Sequence, residues 1–165
     1  MKKFLIVVIA AAIVGSLAPQ AHSIGAFVSY WNGKDTDNGY GLGLTHQIKI
    51  IPLVQAEVRA SWLSFSDDDP GMNLYPLEGL ARVKLGPFYV GAGLGYYIFS
   101  GSDAVEWDNA WGVFGVGGAG ISLAKIGVFG ELKYTWVETK ITEPVAADVD
   151  GSGIGVNVGV TFGWI

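Results

Sequence analysis

The chain has 165 residues, half of them apolar, which bounds it to a single domain of ordinary size. It contains no cysteine, so disulfide bonds are excluded as a source of stability. Its formal net charge of −5 at pH 7 disfavours nucleic acid as a partner.

At the N terminus, two lysines precede an apolar run over residues 4–14, and Ala21 and Ser23 supply the small side chains that suit signal-peptidase cleavage. The run is too short to cross a bilayer as a helix, which takes about 20 apolar residues, and no later stretch is long enough either. We therefore predict a signal peptide over residues 1–23 and a mature domain over 24–165. Removing the two lysines lowers the formal net charge from −5 to −7.

The mature segment repeats one pattern, in which apolar residues alternate with small or polar ones between short connections. Glycine, which disfavours helices, occurs 25 times in the chain. A period of two residues predicts β-strands. The eight predicted strands cover residues 24–31, 39–49, 54–65, 74–85, 87–99, 111–123, 127–137 and 153–164.

The connections between these strands alternate in length and character. Those after the first, third, fifth and seventh strands are long, polar and acidic, and the other three are tight. This alternation predicts an antiparallel meander with long loops at one end and tight turns at the other. With eight strands, both termini lie at the tight-turn end.

The charged residues decide which face of the strands points outwards. Twelve of the 15 acidic residues lie in the long connections. The other three lie within strands, opposite the apolar face and beside three basic residues: Glu57, Glu78 and Glu131 with Arg59, Arg82 and Lys133. So few charges could not cover a soluble domain, whose surface is about a quarter or more charged. We predict an all-β, eight-stranded antiparallel up-and-down transmembrane β-barrel with its apolar face towards lipid.

An eight-stranded barrel has room inside for side chains only. Many inward positions of the second, fifth and eighth strands are glycine. We expect these glycines to leave space into which the six charged side chains reach. An unpaired buried charge costs several kcal/mol, so the six are predicted to form a closed interior network.

The last strand carries a motif of a polar residue, a glycine and two aromatic residues: Asn157, Gly159, Phe162 and Trp164. This spacing resembles the assembly signal of outer-membrane proteins, which usually stops at the final aromatic residue, whereas this chain adds Ile165. With the strand pattern of the whole mature segment, the chain resembles the small eight-stranded outer-membrane barrels of Gram-negative bacteria, such as OmpX and the membrane domain of OmpA.

The resemblance implies a monomer in the bacterial outer membrane with both termini in the periplasm. It implies contacts with outer-membrane lipid and lipopolysaccharide, and recognition of the last strand by the barrel assembly machinery. The expected function is non-enzymatic: envelope stability, or an adhesin-like role in which the acidic loops meet an extracellular ligand. Two alternatives are a narrow ion channel through exchangeable salt bridges, as proposed for the OmpA domain, and a conduit for small hydrophobic molecules, as in the OmpW family.

Catalytic and metal-binding residues are scarce. Barrel enzymes that modify lipid A use a His with a Ser, but the mature segment has a single His, His46, and no His-x-Ser pair. We expect no enzyme activity, no cofactor and no catalytic metal. The glycine-rich segment 115–120 lies in a predicted strand instead of before a helix, so it does not predict a nucleotide site. Segment 148–153 resembles a calcium loop but lacks two of its ligands, which leaves weak divalent-cation binding by the acidic loops open.

Overall fold

The computed structural model describes residues 22–34, 36, 38–65, 72–100, 106–143 and 147–164. These residues contain no helix long and apolar enough to cross a membrane. The strands are β1 (His22–Gly33), β2 (Asn38–Ile51), β3 (Val54–Phe65), β4 (Asn73–Leu85), β5 (Phe88–Ser100), β6 (Glu106–Trp107), β7 (Ala110–Leu123), β8 (Ile126–Glu143), β9 (Ala147–Asp150) and β10 (Gly153–Trp164).

Eight of the strands close a barrel. They pair antiparallel in the order β1-β2-β3-β4-β5-β7-β8-β10, and β10 returns to pair with β1. In this closing pair, Val28 lies directly opposite Val158. Each of the eight strands has a partner on both sides, so its backbone N–H and C=O groups are paired along the barrel wall, as lipid surroundings require.

This architecture confirms the predicted eight-stranded antiparallel barrel, and each predicted segment is a strand. The differences lie in the long connections. Strand β8 runs to Glu143 instead of ending at residue 137, and the short strands β6 and β9 pair with its extension. In the extension, Thr139 is buried and its hydroxyl donates to the carbonyl of Asp108 at 2.6 Å. Residues held by polar contacts of this kind do not alternate between apolar and polar, so the sequence pattern did not predict the extension of β8.

Successive side chains alternate between the exterior and the interior of the barrel. On β5, Leu94 is 61% exposed whereas Tyr97 is fully buried. On β10, Val156 and Val158 point outwards and Asn157 between them is buried. The exterior is thus the apolar face, and the polar and charged strand residues lie inside.

The tight turns and both ends of the described chain lie at one end of the barrel, called the short-turn end; the opposite end is the long-loop end. At the short-turn end His22 is directly opposite Trp164. The turns there fall at residues 52–53, 86–87 and 124–125. Strand β1 begins two residues before the predicted mature start, and residues 1–21 lie outside the described part of the chain. Cleavage of a signal peptide therefore stays a prediction.

Aromatic side chains mark both ends of the exterior. Near the long-loop end, the rings of Tyr30 and Tyr40 lie 5.2 Å apart between centroids, and those of Tyr96 and Trp111 5.0 Å apart. Trp111 is 74% exposed, and at the short-turn end Phe88 is exposed as well. Aromatic girdles at the two water interfaces are typical of transmembrane barrels.

Candidate functional site in the barrel interior

The six charged strand residues are all buried inside the barrel, and we call them the ion-pair network. At its centre Arg59 on β3 lies between two carboxylates. Its Nε donates to Glu57 Oε1 at 2.8 Å, and its Nη2 donates to Glu131 Oε2 at 2.9 Å. Its Nη1 also donates to the other oxygen of Glu131, which makes that pair bidentate. Bidentate pairs of this kind are among the stronger charge-assisted hydrogen bonds.

A second arginine extends the network towards the short-turn end. Arg82 Nη1 lies 2.9 Å from Glu57 Oε2, so Glu57 bridges two guanidinium groups. The Nε of Arg82 donates to Gln55 Oε1 at 2.9 Å. The hydroxyl of Thr45 donates to Glu57 from the neighbouring strand. Both oxygens of the Glu57 carboxylate are thus engaged by neighbouring groups.

The remaining pair lies towards the long-loop end. Lys133 Nζ donates to Glu78 Oε1 at 2.7 Å, and the same oxygen accepts the hydroxyl of Tyr97 at 3.0 Å. The ammonium group also lies 5.1 Å from the ring centroid of Trp31 and 5.6 Å from that of Phe114. Aromatic faces attract cations at such distances.

Three acids and three bases therefore meet inside the barrel with a formal charge of zero. Their relative exposures are at most 5%. Burial of an uncompensated charge costs several kcal/mol, so the equal numbers of acids and bases make the burial of this cluster tolerable. Chemically, the arrangement closes the middle of the barrel with strong, mutually dependent hydrogen bonds.

Sequence reasoning missed two further members of the network's surroundings. The amide Nδ2 of Asn157 donates to Glu131 Oε1 at 2.8 Å, and the hydroxyl of Tyr89 donates to Glu131 Oε2 at 2.9 Å. Both residues belong to the inward face of their strands, and a buried tyrosine hydroxyl usually finds a partner. That face assignment was the signal that could have placed them here.

The motif predicted as an assembly signal spreads over both faces of β10. Asn157 and Gly159 point inwards, and Phe162 is exposed on the exterior. A Cβ at Gly159 would lie 2.6 Å from the Cβ of Phe27, so the interior has no room there for a larger residue. Trp164 pairs with β1 through its backbone; its side chain, like Ile165, lies outside the described part of the structure.

The space beside the inward glycines is shared between aromatic rings and the charged side chains that we expected there. A Cβ at Gly43 would lie 2.2 Å from the ring of Phe27, and one at Gly93 would lie 2.7 Å from the ring of Phe114. A Cβ at Gly95 would lie 2.7 Å from the ring of Tyr97. At Gly155, in contrast, an added Cβ would lie 3.5 Å from Cε of Lys133, so a charged side chain lies beside that glycine.

The long-loop half of the interior is apolar, which the sequence analysis did not predict. Nine buried residues form one cluster there, called the apolar plug: Trp31, Leu63, Phe65, Met72, Leu74, Tyr97, Phe99, Ala110 and Val137. Leu63 and Tyr97 are completely buried. The interior is thus packed with apolar side chains between the ion-pair network and the long-loop end.

The short-turn half of the interior contains a cavity of about 140 Å³, called the vestibule. Arg82 of the ion-pair network and Tyr89, which donates to Glu131, line the end of the cavity nearer the middle of the barrel. Lys84, Ser122 and Lys125 line the end nearer the tight turns. All of the strand residues named here point inwards. The vestibule is therefore an interior polar cavity at the end where both chain termini lie.

The segment that resembles a calcium loop holds its carboxylate in protein contacts. Asp150 Oδ2 accepts a hydrogen bond from Lys34 Nζ at 2.7 Å, and its Oδ1 accepts the backbone N–H of Ser152 at 3.1 Å. The Lys34 hydrogen bond, followed by those from Ser152, lowers the pKa of Asp150 from 3.8 to about 2. A carboxylate so engaged has less to offer a calcium ion.

The candidate catalytic residue His46 lies on the exterior near the short-turn end. Its ring stacks on that of His22, with centroids 5.5 Å apart. Within the described residues, no group of three or more His, Cys, Asp or Glu side chains could hold a metal ion.

Solved structures share this fold. OprG, an outer membrane protein from Pseudomonas aeruginosa, has a TM-score of 0.71 at 15% identity, covering 88% of this chain and 96% of OprG. Neisserial surface protein A has a TM-score of 0.68 at 13% identity over 88% of this chain and 97% of its own. The N-terminal β-barrel domain of Pseudomonas aeruginosa OprF has a TM-score of 0.55 at 16% identity over 87% and 97%.

No family model and no curated protein matches the chain. At these identities the structural likeness shows the fold alone, that of the small eight-stranded outer-membrane β-barrels.

Proposed function

We propose that the chain is an integral barrel of the bacterial outer membrane, with both termini in the periplasm, that stabilises the envelope and presents its long-loop end to ligands outside the cell. The observation that carries the proposal is the reversed distribution of side chains. The strands turn Leu94 and Val158 outwards while Glu57, Arg59 and Glu131 are buried inside. An apolar exterior of this kind is stable in lipid and costly in water.

The closed interior supports a structural role over transport. The ion-pair network fills the middle of the barrel, and the apolar plug fills the long-loop half, where Leu63 and Tyr97 have no solvent exposure. An open aqueous pore belongs to wider barrels than one of eight strands. We infer that the resting protein conducts no ions and that it is not an enzyme.

Surface interaction is supported by the shape and charge of the long-loop end. Strand β8 continues past the barrel and pairs there with β6 and β9, which gives the rim a raised three-stranded edge. Of the described residues, the acidic Asp108, Glu138 and Asp150 lie at this end, and the sequence of the long connections contains further acids. Their charge suits lipopolysaccharide bridged by divalent cations, or a basic extracellular ligand.

A narrow ion path is the second candidate, and one observation favours it. Arg59 lies directly opposite Glu78 on the paired strands β3 and β4, although its guanidinium bonds Glu57 and Glu131. Directly opposite side chains have Cβ atoms about 4.5–5.5 Å apart, so Arg59 could exchange its partner for Glu78. Such an exchange would free Lys133 and loosen the middle of the barrel.

A conduit for small hydrophobic molecules is less well supported. The apolar plug offers such molecules a compatible surface, but it ends at Lys133 and Glu78 of the ion-pair network. An apolar solute would have to displace paired charges in order to cross the barrel.

Location is tested by membrane fractionation and a gel. The chain, expressed in a Gram-negative host, should appear in the outer-membrane fraction. It should also migrate differently in detergent gels before and after boiling, because a closed barrel resists detergent at room temperature. A soluble fraction together with unchanged mobility would contradict the proposal.

Closure is tested by recording conductance in planar bilayers. The wild-type protein should give no current above the bare bilayer. If the ion path is real, Arg82→Ala should change the current, because it removes one of the two arginines that hold Glu57. Lys34→Ala, at the other end of the barrel, is the matched control. Steady currents in the wild type would favour the channel. A conductance that Arg82→Ala leaves unchanged would contradict an ion path through exchangeable salt bridges.

We also propose that the last strand is recognised by the barrel assembly machinery through Asn157, Gly159, Phe162 and Trp164. Deleting Ile165 should leave insertion intact or improve it, because the motif would then end at its aromatic residue. Phe162→Ser should reduce the heat-modifiable fraction in membranes, because it removes one aromatic residue of the motif. Phe162 is exposed on the exterior, so the loss would not come from interior packing. Efficient insertion of that variant, or failure of the Ile165 deletion, would contradict the assignment.

A further inference from the structure

We propose that the vestibule binds a small free oxyanion, with inorganic phosphate as the simplest example. The proposal concerns a cavity that the envelope role does not use. Three properties of the cavity point to such a ligand: the sign of the charges around it, a buried donor without an acceptor, and its size.

The charges around the vestibule are positive. Arg82, Lys84 and Lys125 line it, and no acidic side chain of the described residues does. Glu57 is the acid next to this region, and it is already engaged by Arg59 and Arg82. Two ammonium groups therefore face the cavity without an anionic partner in its wall, and a cavity lined by one sign of charge concentrates counter-ions.

A buried hydrogen-bond donor points to the same ligand. Gln47 lines the vestibule and is only 6% exposed. Its Oε1 accepts the hydroxyl of Ser23 at 3.1 Å, whereas its Nε2 has no hydrogen-bond partner. A buried donor without a partner destabilises the folded protein, so an anion that accepts a hydrogen bond from Gln47 Nε2 would be bound favourably. Oxyanions supply several acceptor atoms.

The size of the cavity fits a small anion with some of its water. The volume is about 140 Å³, whereas a water molecule occupies about 30 Å³ in the liquid. The cavity therefore has space for a tetrahedral anion together with part of its hydration shell. The side chains of Ser122 and Thr161 add hydroxyl groups to the lining.

The interior position favours a free anion over a lipid headgroup. The polar strand residues that line the cavity, such as Gln47, Gln55 and Arg82, point into the barrel, although the outward-facing Ile126 and Val128 also border it. The wall separates these polar residues from the lipid around Phe88 and Val90. A headgroup would have to leave its bilayer and pass the turns. A free oxyanion in the surrounding water would enter at the short-turn end directly.

The experiment follows the side-chain amide of Gln47 by NMR, in the full chain purified from membranes in a neutral maltoside detergent. Inorganic phosphate is added at constant ionic strength against chloride. The expected result is a saturable shift with a Kd of about 1–10 mM, the range of a weak site. The double substitution Lys84→Gln and Lys125→Gln should weaken binding by about tenfold or more, since charge-assisted hydrogen bonds are lost.

Lys34→Gln is the matched control, because it removes one positive charge at the opposite end and should leave the phosphate affinity unchanged. A mobility shift on boiling verifies that each variant is folded. A second arm adds an anionic phospholipid in place of phosphate. The proposal is overturned if about 50 mM phosphate produces no saturable shift, if the double substitution binds as tightly as the wild type, or if only the phospholipid produces the shift.

Discussion

The two halves of the barrel interior are filled by different means. Towards the long-loop end, the apolar plug packs residues such as Leu63 and Tyr97 without any charge of its own. In the middle and towards the short-turn end, the interior holds Arg59, Glu57 and Glu131, whose cohesion is electrostatic. One half is held by apolar packing alone, whereas the other combines charge balance with buried rings such as Phe27 and Phe114. The two halves should therefore respond differently to substitutions of the same size.

The largest effect is expected in the charged half. Arg59→Met removes the cation shared by Glu57 and Glu131 and leaves Glu131 without an ionic partner. Breaking a buried pair from one side costs about 3–5 kcal/mol, so the free energy of unfolding in lipid vesicles should fall by about that amount. Equilibrium denaturation with urea measures it.

The double variant Arg59→Met with Glu131→Gln is the control for this substitution. It removes the orphaned charge and should recover at least about 1 kcal/mol of the loss. If Arg59→Met alone costs less than about 1 kcal/mol, the network does not hold the middle of the barrel as described.

The apolar half should be slightly less sensitive. Leu63→Ala creates a cavity in a fully buried site, which typically costs about 2–5 kcal/mol. The matched control is Leu94→Ala on the exterior, where lipid tails can fill the space and no cavity forms. Urea denaturation should show the greater loss for Leu63→Ala. Equal losses would indicate that the plug is loosely packed.

The charged half of the interior could be predicted from the sequence because charged residues within membrane-spanning strands are rare. Glu57, Arg59 and Lys133 are charges in strands whose outer face is apolar, and only the interior of a barrel can accommodate them there. The plug could not be read in the same way. Leu63 and Leu74 are ordinary apolar residues in strands whose exterior is also apolar, so alternation carries little contrast at that end.

Contacts across the barrel were likewise beyond the sequence. The alternation placed Asn157 and Tyr89 on the inward face, but their common partner Glu131 depends on which strands meet across the interior. The extension of β8 was missed for a related reason, since its partners β6 and β9 are too short to show a period.

A smaller difference in stability is expected between glycine-to-alanine substitutions on the inward and the outward face of the strands. A Cβ added at Gly93 would lie 2.2 Å from the carbonyl oxygen of Gly79, so Gly93→Ala should cost about 1–3 kcal/mol through overpacking. At Gly117, on the exterior, the added Cβ meets nothing within 4 Å. Gly117→Ala should be neutral or stabilise by up to about 1 kcal/mol. The opposite ranking in urea denaturation would mean that the faces are assigned the wrong way round.

The smallest effect belongs to the exposed pair of Lys34 and Asp150, which contrasts with the buried network. Because the pKa of Asp150 is lowered from 3.8 to about 2, the pair contributes stability above pH 4, and that contribution is lost as the pH falls through 2. Lys34→Gln should raise the pKa part of the way towards 3.8, since Ser152 still donates to the carboxylate. NMR titration of the Asp150 carboxyl measures both values. A midpoint unchanged by Lys34→Gln would contradict the pairing.

The central claim is that the apolar face meets lipid while the interior is polar, and spin labels test it most directly. The chain has no cysteine, so Leu94→Cys, Val158→Cys and Ser122→Cys each carry a single label. In vesicles, labels at 94 and 158 should collide more often with dissolved oxygen, which concentrates in lipid, than with a water-soluble nickel chelate. The label at 122, in the vestibule, should show the reverse. Chelate access at 94 and 158 equal to that at 122 would contradict the account.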